Sequence, residues 1–219
     1  NRILAYFGCD LYEAIMATEL KGKETYFMPF NQGSNGAGEV GGAGNPQRED
    51  DEYVTSYFWK DVLRRDVLLA ILQRFIMRQT ETKISLIMDK HGKEKEKSTT
   101  STKIIFPRYH QLDVVEKLIH DTESKGAGTN YLIQHSAGSG KSNSIAWLTY
   151  RLASLHDTAN ANIFKGVFVV TDRRILNRQL QDTILGFEHV DGTVTTITEK
   201  DSNASQKLKD AINAEKTGI

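Results

Sequence analysis

Apolar residues follow three different rhythms along this chain. Near the start, Arg2-Ile3-Leu4-Ala5-Tyr6-Phe7 and Leu11–Thr18 flank Gly8-Cys9-Asp10. Two β-type runs around a short Gly/Asp turn predict a hairpin. A third run, Thr25–Met28, stops at Pro29. Between residues 52 and 79 the rhythm becomes helical. Tyr57, Phe58, Val62, Leu63, Val67, Leu68, Ile71, Leu72, Phe75 and Ile76 recur at three- and four-residue intervals. One or two amphipathic helices are predicted, with Asp61, Arg64, Arg65, Arg74 and Arg78 outward. Thr82–Met88 predicts a short extended segment. After Phe106 helical and strand-like runs alternate. Helices are predicted at Leu112–Asp121, Ser142–Leu155, Leu176–Leu185 and Gln206–Ala214, and strands at Thr129–His135, Gly166–Val170 and Val194–Ile197. Such alternation predicts an α/β fold with a parallel sheet.

Two stretches break the pattern. Residues 31–46 hold six glycines and few apolar side chains, which predicts a mobile loop over Gly33–Gly44. Asp89–Thr102, DKHGKEKEKSTTST, has no apolar residue. It predicts a solvated linker, mobile over His91–Thr102. The boundaries expected from this are residues 1–88, a flexible linker at 89–103, and a second unit at 104–219.

Composition narrows the classes. The 219 residues carry 28 Lys+Arg against 28 Asp+Glu, so any basic surface must be local. A single cysteine, Cys9, excludes an internal disulfide and a cysteine-cluster metal site. It fits a reducing, cytoplasmic setting. No apolar run reaches the length of a membrane span. The opening without Met and the end within a helical pattern are expected of a piece of a longer protein.

The most informative segment is Tyr131-Leu132-Ile133-Gln134-His135-Ser136-Ala137-Gly138-Ser139-Gly140-Lys141-Ser142. A strand, a loop of small residues, Gly-Lys-Ser and then a helix form the context of a nucleotide phosphate loop. Gly138 and Gly140 allow turns that a Cβ would hinder, and bring amide N–H groups, with those of Ala137 and Ser139, toward phosphate oxygens. The helix dipole points at the same anion. Lys141 can reach the outer phosphates of ATP, and the Ser142 hydroxyl can ligate Mg²⁺. His135 stands where the first glycine of G-x-x-x-x-G-K-[ST] is usual.

Two further clusters flank this loop. Upstream, Arg108-Tyr109-His110-Gln111 lies one helix before it, and a glutamine amide can both donate to and accept from an adenine edge. Downstream, Arg173, Arg174 and Arg178 gather with Gln179 at a strand-to-helix turn, where they can hold a nucleic-acid backbone. Together the three segments resemble superfamily 2 helicases and translocases. Phe106–Gln111, Gln134–Leu148 and Thr171–Thr183 are similar to the R (restriction and motor) subunit of type I restriction–modification enzymes. So are Gly22–Asn31, Gly42–Pro46, Tyr57–Trp59 and Leu72–Ile76, which resemble the part joining nuclease to motor in that subunit.

The resemblance implies the tail of a PD-(D/E)xK-type nuclease domain followed by a truncated RecA-like P-loop domain. It implies an ATP-dependent translocase on double-stranded DNA that cleaves unmodified DNA away from its recognition site, in complex with methyltransferase (M) and specificity (S) subunits. Carried over residue by residue, Arg108 and Gln111 become adenine-side contacts, and Ala137, Gly138, Ser139, Gly140, Lys141 and Ser142 hold ATP and Mg²⁺. Arg173, Arg174 and Gln179 become nucleic-acid contacts. The nuclease residues and the Walker B carboxylate are expected outside the chain, so little ATPase activity is expected of it alone.

Several features tempt and are set aside. Glu19-Leu20-Lys21, with Asp10 upstream, imitates a nuclease metal site but runs straight into Gly22–Phe27, a segment placed after the catalytic motif in the resembling family. Glu49–Glu52 lacks the buried strand that a Walker B box needs. The six histidines show no zinc spacing, and only His110 and His135 flank the loop. Trp59 and Trp147 are expected in the core. Two other readings are a non-catalytic ATP-binding regulatory module and a small P-loop kinase or transferase. The latter needs an acceptor site that the residues after Ser142 do not offer.

Overall fold

A computed structural model describes residues 3–49, 52–88, 94–172, 174–187, 192–198, 200–214 and 218–219. Strands β1 (Tyr6–Cys9) and β2 (Ala14–Ala17) form the expected antiparallel hairpin, and β3 (Met28–Pro29) adds to the other edge of β2. Asp10 closes the hairpin: its carboxylate accepts the N–H groups of Tyr12 and Glu13 at 2.7 and 2.8 Å. That pairing holds its pKa below the usual carboxylate value. Asp10 is therefore a turn former, while Glu19 and Lys21 pair with each other at 3.1 Å on the surface.

The helical rhythm of residues 52–79 yields a π-helical turn at Phe58–Val62 and then α1 (Arg65–Arg74). Phe7, Phe30, Phe58 and Phe106 meet edge to face or tilted, with centroids 4.9–6.5 Å apart. Such contacts add to the burial of large apolar area. Trp59 departs from expectation: it is 45% exposed and leans on Tyr53.

Residues 31–46 form a loop closed by its own hydrogen bonds. Gly33 N–H donates to the Gly44 carbonyl at 2.8 Å and Ser34 N–H to that of Gly42 at 2.9 Å. Gly33 and Gly44 both sit at positive φ, where any other side chain is strained.

The expected linker is instead half of a ribbon. Strands β4 (Met77–Met88) and β5 (Glu94–Ile105) pair antiparallel over twelve residues, from Met77↔Ile105 to Met88↔Glu94. Thr is at home in strands, and residues 94–103, all Glu, Lys, Ser or Thr, show no apolar alternation to read. Residues 89–93 lie outside the described residues.

Helices α2 (Tyr109–Lys125), α3 (Lys141–Ala153), α4 (Arg174–Leu185) and α5 (Ala204–Asn213) match the predicted helices within a few residues. The parallel sheet does not follow. Residues 129–135, 166–170 and 194–197 contain no ladder among the described residues, and Leu132 and Val170 are more than 90% exposed. What remains parallel is a single bridge, Gly166↔Gly218. Around it Val167 N–H donates to Gly218 O, and Thr195 N–H to Ile219 O. An apolar run becomes a parallel strand only when a neighbour supplies its slanted hydrogen bonds; here the runs at 166–170 and 194–197 meet only the short segment at Gly218–Ile219, and 129–135 finds no such bond among the described residues. The fold is thus mixed α/β with small antiparallel sheets.

One hydrophobic core joins both sides of the ribbon. Met16, Phe30, Tyr57 and Ile71 belong to the same buried cluster as Val115, Ile119, Trp147, Ile184 and Phe187. Trp147 is its centre. It is fully buried, donates its indole N–H to Phe75 O at 2.9 Å, and stacks obliquely on Phe75 and Phe187. No helix among the described residues is long and apolar enough to cross a membrane.

Candidate phosphate-binding site

Helix α3 begins at Lys141 because Gly140 takes the left-handed conformation at its N-cap, φ +81°. Gly138 turns the preceding loop at φ +72°. In the first helical turn the Asn143 N–H donates to Gly140 O at 3.0 Å, while the N–H groups of Lys141 and Ser142 have no carbonyl one turn earlier to bond. They face the loop together with the positive end of the helix dipole.

The loop is braced from behind by the start of α2. Gln111 is 3% exposed. Its Oε1 accepts the Arg108 N–H at 2.9 Å, which caps α2, and its amide nitrogen donates to Gly140 O at 2.9 Å and to Ser139 O at 3.4 Å. Arg108 Nη2 donates to Gly138 O at 3.2 Å, and His110 Nε2 lies 2.9 Å from Ser139 O. A Cβ placed on Gly140 would lie 2.6 Å from Gln111 Nε2, so this brace also requires glycine there. Arg108, His110 and Gln111 thus shape the loop, with the Gln111 amide committed at both ends.

The His110 and His135 rings meet edge to face at 5.0 Å. Burial lowers the pKa of both. The Lys141 ammonium and the Arg108 guanidinium push His135 further down, against the pull of Asp113; for His110 the carbonyl of Ser139 opposes Arg108 and His135. Sequence reasoning noted that both histidines flank the loop, but the ring contact has no linear signature.

Lys141 Nζ donates to the carbonyls of His135 and Ser136 at 3.0 and 2.8 Å, which holds the ammonium across the loop. Ser142 follows it, half-buried, while Ala137 and Gly138 are exposed at the loop tip. Two buried polar atoms here, Ser139 Oγ and His135 Nδ1, have no hydrogen-bond partner among the described residues. A loop turned by left-handed glycines, a helix N-terminus, a lysine and unsatisfied polar atoms together fit a polyphosphate.

The downstream cluster is less defined. Arg173 lies outside the described residues, Arg174 opens α4, and Gln179 is exposed on that helix. Of the acidic box at Glu49–Glu52, residues 50 and 51 are likewise outside them, and Glu52 pairs with Lys60 and Arg48.

A glycine loop feeding a lysine-led helix, braced by a glutamine helix cap, defines a nucleotide-binding P-loop protein. The family model of the SWI2/SNF2 ATPases matches residues 110–219. The chain belongs to the SWI2/SNF2 ATPase family, and residues 110–219 are a helicase-related, ATP-using domain. No curated protein and no solved structure matches the chain.

Proposed function

We propose that this chain is part of an ATP-driven motor on double-stranded DNA, of the type I restriction enzyme R-subunit kind. The observation that carries the motor reading is the braced phosphate loop at residues 136–142 within a family of helicase-related ATPases. The similarity of Gly22–Asn31, Tyr57–Trp59 and Leu72–Ile76 to the stretch joining nuclease to motor supports the finer reading. In it, a nuclease cuts unmodified DNA at a distance from its recognition site, and M and S subunits complete the complex.

The loop amides of residues 137–140 and the first turn of α3 hold the phosphates. Lys141 exchanges its two carbonyl acceptors for the outer phosphates, and Ser142 offers its hydroxyl to Mg²⁺. When bound there, Mg²⁺ would supply charge neutralisation on the phosphates. Gln111 keeps Gly140 O turned away from the anion, so the N–H groups face it. Arg108 stands beside Gly138 and adds a second positive charge. Arg173, Arg174 and Gln179 are the residues assigned to DNA.

A motor couples its two ligands, and that coupling is reciprocal. ATP affinity is therefore expected to change on adding duplex DNA, with ATP preferred over GTP. The check is a fluorescent-nucleotide titration with and without a short duplex. Tight binding indifferent to DNA would overturn the motor reading in favour of a regulatory ATP-binding module.

A further inference from the structure

A pocket of about 380 Å³ opens between the π-helical turn, α1 and α2. The spacing of the two helices builds it. On α2, Tyr109, Leu112, Asp113, Glu116 and Lys117 recur at three- and four-residue intervals, so they share a face. On α1, Asp66, Val67 and Ala70 do the same, and Asp61 and Val62 come from the turn before it. Val62 and Leu112 are buried, and Val67 and Ala70 half-buried, which gives the pocket apolar walls. Its volume falls in the range of small-molecule sites.

The charge around this pocket is one-sided. Four carboxylates, Asp61, Asp66, Asp113 and Glu116, line it against one ammonium, Lys117. Asp66 pairs with Arg64 at 2.6 Å, Asp113 with Lys117 at 2.9 Å, and Glu116 with Arg151 at 2.8 Å. Asp61 makes no ion pair among the described residues. A carboxylate has lone pairs for more than one donor, and exposed pairs such as Arg64–Asp66 are weak. An incoming cation can therefore share these oxygens. Among the described residues no group of three or more His, Cys, Asp or Glu could hold a metal ion. The carboxylates are thus too dispersed for one compact ion, and suit a cation whose charges are spread along an apolar chain.

We propose that this pocket binds a linear aliphatic polyamine. Its methylenes lie along Val62, Val67, Ala70 and Leu112, as the stem of a long cationic side chain covers apolar surface. Its ammonium groups donate to carboxylates on both walls, Asp61 on one and Asp113 on the other. The bound chain bridges α1 to α2, whose first turn braces the phosphate loop through Gln111. The pocket shares no residue with the phosphate loop, and its ligand chemistry holds whether or not the chain is a DNA motor.

The test is a calorimetric titration with spermidine, without nucleotide, at about 50 and 200 mM salt. Saturable binding to one site is expected, weaker at the higher salt. Asp61→Asn/Asp113→Asn is expected to weaken it about tenfold or more, through loss of two charged acceptors. Ala70→Leu, which fills the pocket and leaves every charge in place, is expected to weaken it by a similar factor. Glu123→Gln/Asp210→Asn removes the same charge from exposed positions elsewhere and should bind as the wild type does. Thermal melts without ligand report that each variant is folded. No saturable binding by the wild type, or equal loss in the exposed-site control, would overturn the pocket. So would wild-type affinity in both pocket variants. Tighter binding of N-acetyl-arginine amide than of spermidine would overturn the free polyamine in favour of a side chain from a partner protein.

Discussion

At the residue scale, a few atoms hold the phosphate loop in shape. Gly140 works because it can take φ +81° and because nothing projects from it toward Gln111. Gly140→Ala is expected to cost about 1–3 kcal/mol, measured by urea unfolding, and to weaken ATP binding with it. The His110–His135 pair adds a pH dependence. Both residues have pKa values below the ordinary 6.5 when folded. The unfolded chain therefore binds more protons as pH drops below about 6.5, and stability falls there. Thermal melts from about pH 7.5 to 5.5 should show a falling midpoint, and His135→Gln should flatten that slope. An unchanged slope in the variant would show that the pair does not titrate as described. The sequence exposed Lys141, Ser142 and the glycines plainly, since their chemistry depends on spacing. It pointed Gln111 at adenine, because an amide's partners are set by what folds against it. Here those partners are Arg108 N–H and Gly140 O.

At the element scale, the helices and the local β1–β2 hairpin were legible, and the strands that depend on distant partners were not. Helices α2, α3 and α4 carry their own hydrogen bonds, so apolar spacing suffices to mark them. A strand depends on a distant partner, and β5 gave no apolar signal because its rungs are mostly Ser, Thr, Lys and Glu. The runs at Thr129–His135 and Gly166–Val170 show the converse, apolar patterns without a ladder. The packing of α3 makes a sharper prediction. Trp147 ties α3 to Phe75 at the end of α1 and to Phe187 just beyond α4. Trp147→Ala is expected to lose about 3–5 kcal/mol in denaturant unfolding. Trp59→Ala, at an exposed site, should stay within about 0.5 kcal/mol. Equal losses would contradict the assignment of Trp147 to the centre of the core.

At the scale of the whole molecule, the core does not divide where the sequence changes character. The charged stretch after Met88 marked a boundary, yet Phe30 and Tyr57 on one side share a buried cluster with Val115 and Trp147 on the other. Tyr57 donates to Phe30 O, and Tyr109 at the start of α2 packs edge to face on both rings. The N-terminal segment is thereby fixed to the helix that braces the phosphate loop, and Gln32 Nε2 donates to Tyr109 Oη at 2.8 Å. Loop shape and N-terminal packing should therefore be lost together on unfolding. The central claim is that this braced loop holds ATP through Lys141. The most direct measurement is an ATP titration of the wild-type protein and Lys141→Ala, read by calorimetry and by thermal shift. Wild-type binding should stabilise the fold by about 2.7 kcal/mol at a hundredfold excess over Kd. The variant should melt at the wild-type temperature without ATP, and bind ATP about tenfold to a hundredfold more weakly, as expected for loss of a charged hydrogen bond. Equal ATP affinity in the two proteins would contradict the account.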